Sequence, residues 1–193
     1  MNLTSLNIAV QKENNEIFKL LWDVPKNVIE RNLFKNCNRL SSIIIPSSVE
    51  IIGDSSFKEC ILLKEISIPS SVKKIENEAF MKCISLNKVT FENSTSSSSF
   101  LVEIGSNAFN ECIELDELII PSSVACIGSR AFYGCKYLKK ILLPSSLQEI
   151  KSESFLNCKS LESIIIPSSV TMIGANAFQD CNFLRQIILP SSL

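Results

Sequence analysis

The chain has 193 residues, 46% of them hydrophobic, and its 19 basic against 20 acidic side chains leave a formal net charge of −1. That balance gives no electrostatic footprint for nucleic acid or an anionic membrane surface. Histidine is absent, which removes the usual general base and metal ligand and rules out a Ser-His-Asp or Cys-His site within the chain.

Residues 1–33 fit poorly with the rest of the chain and are read as a degenerate N-terminal capping coil, with Val24-Pro25-Lys26-Asn27-Val28 echoing a later Ile-Pro-Ser-Ser-Val segment. The charged and amide-rich stretch from Gln11 to Glu16 suits a face turned to water, and Phe18 and Trp22 are expected to cover the first core. The opening MNLTSLNIAVQKENN has neither the basic nor the apolar region of a secretory signal. No apolar run approaches the roughly 18 residues a membrane-spanning helix needs.

From Phe34 onward one unit recurs. Phe stands at 34, 57, 80, 109, 132, 155 and 178, so the step is 23 residues except for a single step of 29 that marks a six-residue insertion. A period in this range means a solenoid, a structure that grows by stacking coils around a continuous core. Residues 34–193 therefore form one domain of seven repeats, the last incomplete, with a Ser-rich insertion near 92–100.

Within a unit, Leu63, Ile66 and Ile68 make a Leu-x-x-Ile-x-Ile segment whose last two residues alternate inward, as a short strand requires. Pro69 ends it, because proline has no amide for a continuing ladder. The second serine of the following Ser-Ser pair, at Ser48, Ser71, Ser123, Ser146, Ser169 and Ser192, is placed to bond the backbone of a neighbouring coil. Val72-x-x-Ile75 comes next. A small residue (Asp54, Asn77, Ser106, Ser129 or Ser152) then stands where an N-cap would open a short helix carrying Ala79, Phe80 and Cys83 on one face. Gly53, Gly105, Gly128 and Gly174 precede that cap and suggest a turn that favours positive φ, although Glu76 and Lys151 hold the same place in two units.

Seven of the eight cysteines occupy one repeat position, at 37, 60, 83, 112, 135, 158 and 181, three residues after the repeat Phe. Position explains them better than pairing: each is expected to be a small buried thiol, although neighbouring coils lie close enough for a bridge. Cys126 falls outside the ladder and is the better candidate for a reactive thiol. Cys-x-x-Cys pairs and Gly-rich phosphate loops are absent, so no metal, cofactor or catalytic constellation is assigned.

The run Cys-x-x-Leu-x-x-Ile-x-Ile-Pro-Ser-Ser-Val-x-x-Ile-Gly-x-x-Ala-Phe, nearly whole in 112–132 and 158–178, resembles the leucine-rich repeats of the BspA-like, or treponemal-type, surface antigens. The resemblance covers about Phe34 to Leu193. It implies an α/β solenoid, right-handed, with short parallel strands on the concave side and short helices on the convex side. It also implies a non-catalytic role in adhesion or host contact at a cell surface. An intracellular repeat scaffold is the competing reading, favoured by the lack of a visible signal sequence.

Two surfaces are candidates for a partner. The outward column of the strands, between the inward residues, reads Ile44, Ser67, Thr90, Ile119, Leu142, Ile165 and Ile188. Its apolar members, Ile44, Ile119, Leu142, Ile165 and Ile188, are expected to form a stripe for a protein or peptide ligand, or simply to pack on one another along the ladder. Beside it run columns of alternating charge, Asp116, Lys139, Glu162, Arg185 and Glu65, Lys88, Glu117, Lys140, that suit register more than recognition. The second surface is the insertion, where Asn93-Ser94-Thr95 is an acceptor pattern for N-glycosylation. The final coil, ending in Pro190-Ser191-Ser192-Leu193 without a polar cap, is expected to be covered by a missing segment, by a partner, or by self-association with a second copy of the chain.

Overall fold

The computed structural model describes residues 27–92 and 101–191. From β3 to β12 each coil contributes one strand to each of two rows, β1 and β2 extend the second row and β13 the first, and every pairing is parallel. The first row holds β3 (Glu65–Ile68), β5 (Lys88–Phe91), β7 (Glu117–Ile119) and β9 (Lys140–Leu142), continued by the pair β11 (Ser163–Ile165) and β13 (Gln186–Ile188). The second is built of two-residue strands: β1 (Val28–Ile29), β2 (Ile51–Ile52), β4 (Lys74–Ile75), β6 (Glu103–Ile104) and β8 (Cys126–Ile127), then β10 (Glu149–Ile150) with β12 (Met172–Ile173). Register partners stand 23 residues apart in most places, as in Ile119 with Leu142, and 29 apart across the insertion, as in Lys74 with Glu103. This is a right-handed parallel solenoid of about seven turns.

The third side of each coil departs from expectation. No helix forms there among the described residues, and the turn around each Phe is instead a chain of tight bends. The residues two before and two after each Phe have positive φ, for example Ser55 (54°) and Glu59 (63°) around Phe57, and Glu78 (57°) and Lys82 (60°) around Phe80. An α-helix needs φ near about −63° at successive residues, so a left-handed residue at every fourth position excludes it.

The hydrogen bonds show what replaces the helix. The amides of Ser55, Phe57 and Glu59 donate to the carbonyls of Asn77, Ala79 and Met81 in the next coil, at 2.8–2.9 Å. The intervening amides of Ser56, Lys58 and Cys60 close turns onto residues three back, Gly53, Ser55 and Phe57. A helix would spend all its amides within one coil. This turn shares them between its own bends and the next coil, so the Phe side is cross-linked as regularly as a sheet.

The residues read as caps serve that ladder. Asn77 gives its backbone carbonyl to Ser55, and its side-chain Oδ1 accepts the Ser106 amide at 2.8 Å. Nor do the recurrent glycines supply positive φ; among glycines only Gly134 has it, at 68°, in a bend and not in the helix expected there. Gly128 is needed for close approach instead, since a Cβ there would lie 2.3 Å from the Ser106 backbone nitrogen.

The core is one column per repeat position. Phe34, Phe57, Phe80, Phe109 and Phe132 are fully buried, and their rings stack on those of Phe155 and Phe178 in an unbroken series, nearly parallel, with centroids 5.1–5.6 Å apart. The strand rows and the Phe-side bends are both joined coil to coil by backbone hydrogen bonds, so the stacked rings fill the space between three cross-linked sides.

The serine ladder is present: the Oγ of Ser71, Ser123 and Ser169 donates to the carbonyls of Val49, Leu101 and Leu147 at 2.6–2.8 Å, and Ser146 bonds Val124 in the same way. Ser192, Phe18, Trp22 and the segment Gln11 to Glu16 lie outside the described residues.

Phe132→Ala is expected to destabilise the fold by about 3–5 kcal/mol, because the cavity it leaves interrupts the stack on both sides. A urea titration showing a loss below about 1 kcal/mol contradicts that role. Gly134→Ala should cost about 1 kcal/mol through its left-handed backbone, and Gly128→Ala more, since its Cβ meets backbone that cannot move aside.

Candidate functional site

Strand alternation decides which side chains leave the core. In β7, β9 and β11 the middle residue is buried and its two neighbours are exposed. Ile119, Leu142 and Ile165 accordingly face outward, at 68, 42 and 58% exposure, and Ile44 in the first described coil is 61% exposed. Ile188 continues the column at 45%, in a strand whose residues are all exposed, Ile187 included. Ile119 pairs directly with Leu142, and Ile165 with Ile188. Ser67 pairs with Thr90 in the preceding coils, so the outward column is polar there and apolar from Ile119 on.

The charged columns flank this stripe. Lys139 Nζ meets Asp116 Oδ1 at 2.9 Å, and this contact raises the lysine above its ordinary pKa. Glu65, Lys88, Glu117 and Lys140 are successive register partners. On other sides of the solenoid Lys58–Glu78 (2.8 Å), Lys73–Glu50 (3.0 Å) and the two-pronged Arg130–Glu153 contact likewise join one coil to the next. Opposite signs one coil apart favour the native register, although each exposed pair is screened by solvent and contributes little to stability.

The cysteines serve the backbone. All eight are free thiols, and the Sγ of Cys60, Cys83, Cys112, Cys135, Cys158 and Cys181 each donates to a Phe carbonyl of the preceding coil at 3.1–3.2 Å. Phe57 O illustrates the arrangement, accepting from Cys60 N in its own bend and from Cys83 Sγ in the next coil. Both lone pairs of a buried carbonyl are thereby satisfied. Burial pushes Cys83 up to about 12 and Cys181 up to about 11, and drives Cys112 and Cys158 well above the usual thiol value. Cys126 is half-buried in β8, opposite Glu103. Among the described residues no group of three or more His, Cys, Asp or Glu side chains is placed to hold a metal ion, and no helix is long and apolar enough to cross a membrane. Asn93 lies outside the described residues.

One feature of the sheet was not legible in the repeat alone. β3 and β5 share four register pairs, and β7 and β9 share three, but β5 and β7 share only Lys88 with Glu117. Between β9 and β11 no register pair forms at all, although the two strands stay adjacent. A cleft of about 1220 Å³ lies over the step from β5 to β7, bordered by Phe91, Glu92, Glu114, Ile119 and Tyr137.

A BspA type leucine-rich repeat region, in six copies, matches residues 27–101 and 102–193. The chain belongs to the BspA-type leucine-rich repeat family. Among solved structures, the T. pallidum leucine-rich repeat protein is 30% identical, with a TM-score of 0.71 over 81% of this chain and 71% of its own. A Bacteroides ovatus leucine-rich repeat protein is 27% identical, with a TM-score of 0.58 over 80% of this chain and 47% of its own. The pneumococcal vaccine antigen PcpA is 33% identical, with a TM-score of 0.54 over 65% of this chain. This chain spans only 29% of that antigen and about half of the Bacteroides protein. Among curated proteins, none matches the chain.

The thiol ladder generates a pH prediction with a definite sign. Thiols whose folded pKa exceeds the unfolded value of about 8.5 stay protonated in the fold while the unfolded chain ionises. Stability should be complete below about pH 8.5. It should then fall toward the folded values of about 11 to 12, by about 1.4 kcal/mol per pH unit for each ionising thiol. Urea midpoints at pH 7.5 and 10 test this, and Cys83→Ala, Cys112→Ala should show a smaller alkaline drop. An equal drop in both proteins removes the thiols as its cause.

Proposed function

We propose that this solenoid is a non-catalytic protein-binding scaffold of the cell surface, acting in adhesion or host contact, and that its docking face is the outward row of the inner sheet. The observation that carries the reading is the apolar stripe Ile119, Leu142, Ile165, Ile188, four coils long and 42–68% exposed. Soluble proteins seldom keep a contiguous apolar surface without a use, and such patches rimmed by charge mark interaction sites. The rim here is the alternating set around Asp116 and Lys139.

Strand packing alone does not account for the stripe. The same ladder carries Ser67 and Thr90 two and one coils earlier in equally regular pairing, so β-structure at this column does not require an apolar side chain. The cell-surface setting is supported by kinship with PcpA, described as a vaccine antigen.

The test is a pull-down from surface and cytosolic extracts with wild type and with Ile119→Lys, Ile165→Lys, the variant's fold being checked by circular dichroism. Loss of surface partners by the variant alone supports the proposal. Identical partner sets for both proteins reject the stripe, and partners drawn only from the cytosolic extract reject the compartment.

A further inference from the structure

We infer that the apolar stripe belongs to a self-complementary face on which a second copy of this chain docks, related by a two-fold axis that runs along the strands between β9 and β11. This rests on the docking reading above and names the occupant of that face in the free protein, which a surface partner then has to displace.

Two columns share the face. Ile119, Asp116 and Lys139 border the same cleft, so the charged column stands on the same side of the solenoid as the stripe. From Asp116 on it is a ladder in its own right: the amides of Lys139, Glu162 and Arg185 donate to the carbonyls of Asp116, Lys139 and Glu162 at 2.8–3.3 Å. The four side chains therefore rise one coil at a time, in the order minus, plus, minus, plus, beside Ile119, Leu142, Ile165 and Ile188.

Both columns begin at the same coil. One coil earlier the equivalent residues are Asn87 and Thr90, neither charged nor apolar. Holding register does not require the two changes to coincide, because Glu65, Lys88, Glu117 and Lys140 carry alternating charge across that step without a break. The coincidence marks out one surface, four coils long.

The order of signs selects the occupant. A two-fold along the strands reverses the order of coils, so Asp116 meets Arg185 of the copy and Lys139 meets its Glu162, each contact being made twice. Ile119 then meets Ile188, and Leu142 meets Ile165. In the flanking column Glu117 meets Gln186 and Lys140 meets Ser163, and no like charges are opposed. A two-fold along the stacking axis keeps the order of coils and carries the charged column of the copy to the far side of the stripe, where it gains none of these pairs. The formal net charge of −1 leaves little overall repulsion between copies. An unrelated partner needs opposite signs in alternation at a spacing of about 4.7–4.9 Å beside an apolar row, a pattern that this chain carries itself.

The end coils of the face stand about 14 Å apart, which is short for the roughly 800 Å² per partner of a standard interface, so association is expected at about 10–100 μM. Sedimentation velocity on the full chain should show a monomer at about 1 μM and a dimer at about 200 μM. Asp116→Lys opposes cations across the two-fold and Arg185→Glu opposes anions, so each variant alone should dimerise about tenfold or more weakly. An equimolar mixture of the two variants restores every opposite-sign contact and should regain a dimer of near wild-type affinity. A folding defect is not repaired by mixing, and Lys139→Glu with Glu162→Lys forms a second such pair should an outer variant fail to fold.

A monomer at every concentration, undiminished self-association in both variants, or a mixture no stronger than its components overturns the inference. If the chain stays monomeric while Ile119→Lys, Ile165→Lys still loses its surface partners, the second copy is wrong and the docking stripe survives. If that variant also keeps every partner, the docking reading fails with it.

Discussion

The stack of phenylalanine rings sets the geometry on which the rest depends. Seven rings with centroids 5.1–5.6 Å apart hold every coil at nearly the same spacing, and the parallel ladders repeat at that step. Coils held at one step set equivalent residues beside one another, so Ile119 meets Leu142 and Ile165 meets Ile188 on the outer face of the strands. That is how a core residue repeated every 23 positions shapes an exterior it never touches.

Close stacking has a second requirement, because a buried turn rich in carbonyls must satisfy them within about 5 Å of the next coil. Two side-chain ladders meet it. Serines 71, 123, 146 and 169 serve the corner after the first strand, and the thiols serve the Phe carbonyls. Cysteine suits the second site because it is small, apolar enough for a fully buried column, and still able to donate. A serine there would be a stronger donor at a larger desolvation cost. The same burial that makes the thiols useful to the backbone raises their pKa and makes them poor nucleophiles.

Much of this was readable from the residues. The period, the insertion, the strand alternation, the serine ladder and the buried thiols follow from identity and spacing alone. The helix did not survive, because Ala79, Phe80 and Cys83 fall on one face of a helix and also on the inside of a bent ribbon. The deciding fact was conformational: left-handed residues flank each Phe. Asn32, Asn36, Asn107, Asn157, Asn176 and Asp180 at those places are a recognisable signal, since Asn and Asp tolerate that region. Glu59, Lys82, Glu78 and Arg130 at equivalent places conceal it, their backbones held by bonds to the next coil that no single unit shows. The role of the glycines is hidden for the same reason. Gly128 answers to a neighbour one coil away and not to its own φ.

The outward stripe was legible as a column, but the cleft was not, and the difference has a physical origin. A column needs only the period, because every coil places its equivalent residue one step further on. The cleft lies at the step of 29 residues, where β5 and β7 share one register pair, and its shape is displayed only by the fold. In a solenoid each regular coil repeats its neighbour's surface, so discrimination between partners has to come from columns that change along the axis or from a break in the stack. This chain has such a column: it turns from Ser67 and Thr90 to Ile119 and Leu142 at the step that carries the insertion, while the ring stack runs on unbroken from Phe80 to Phe109.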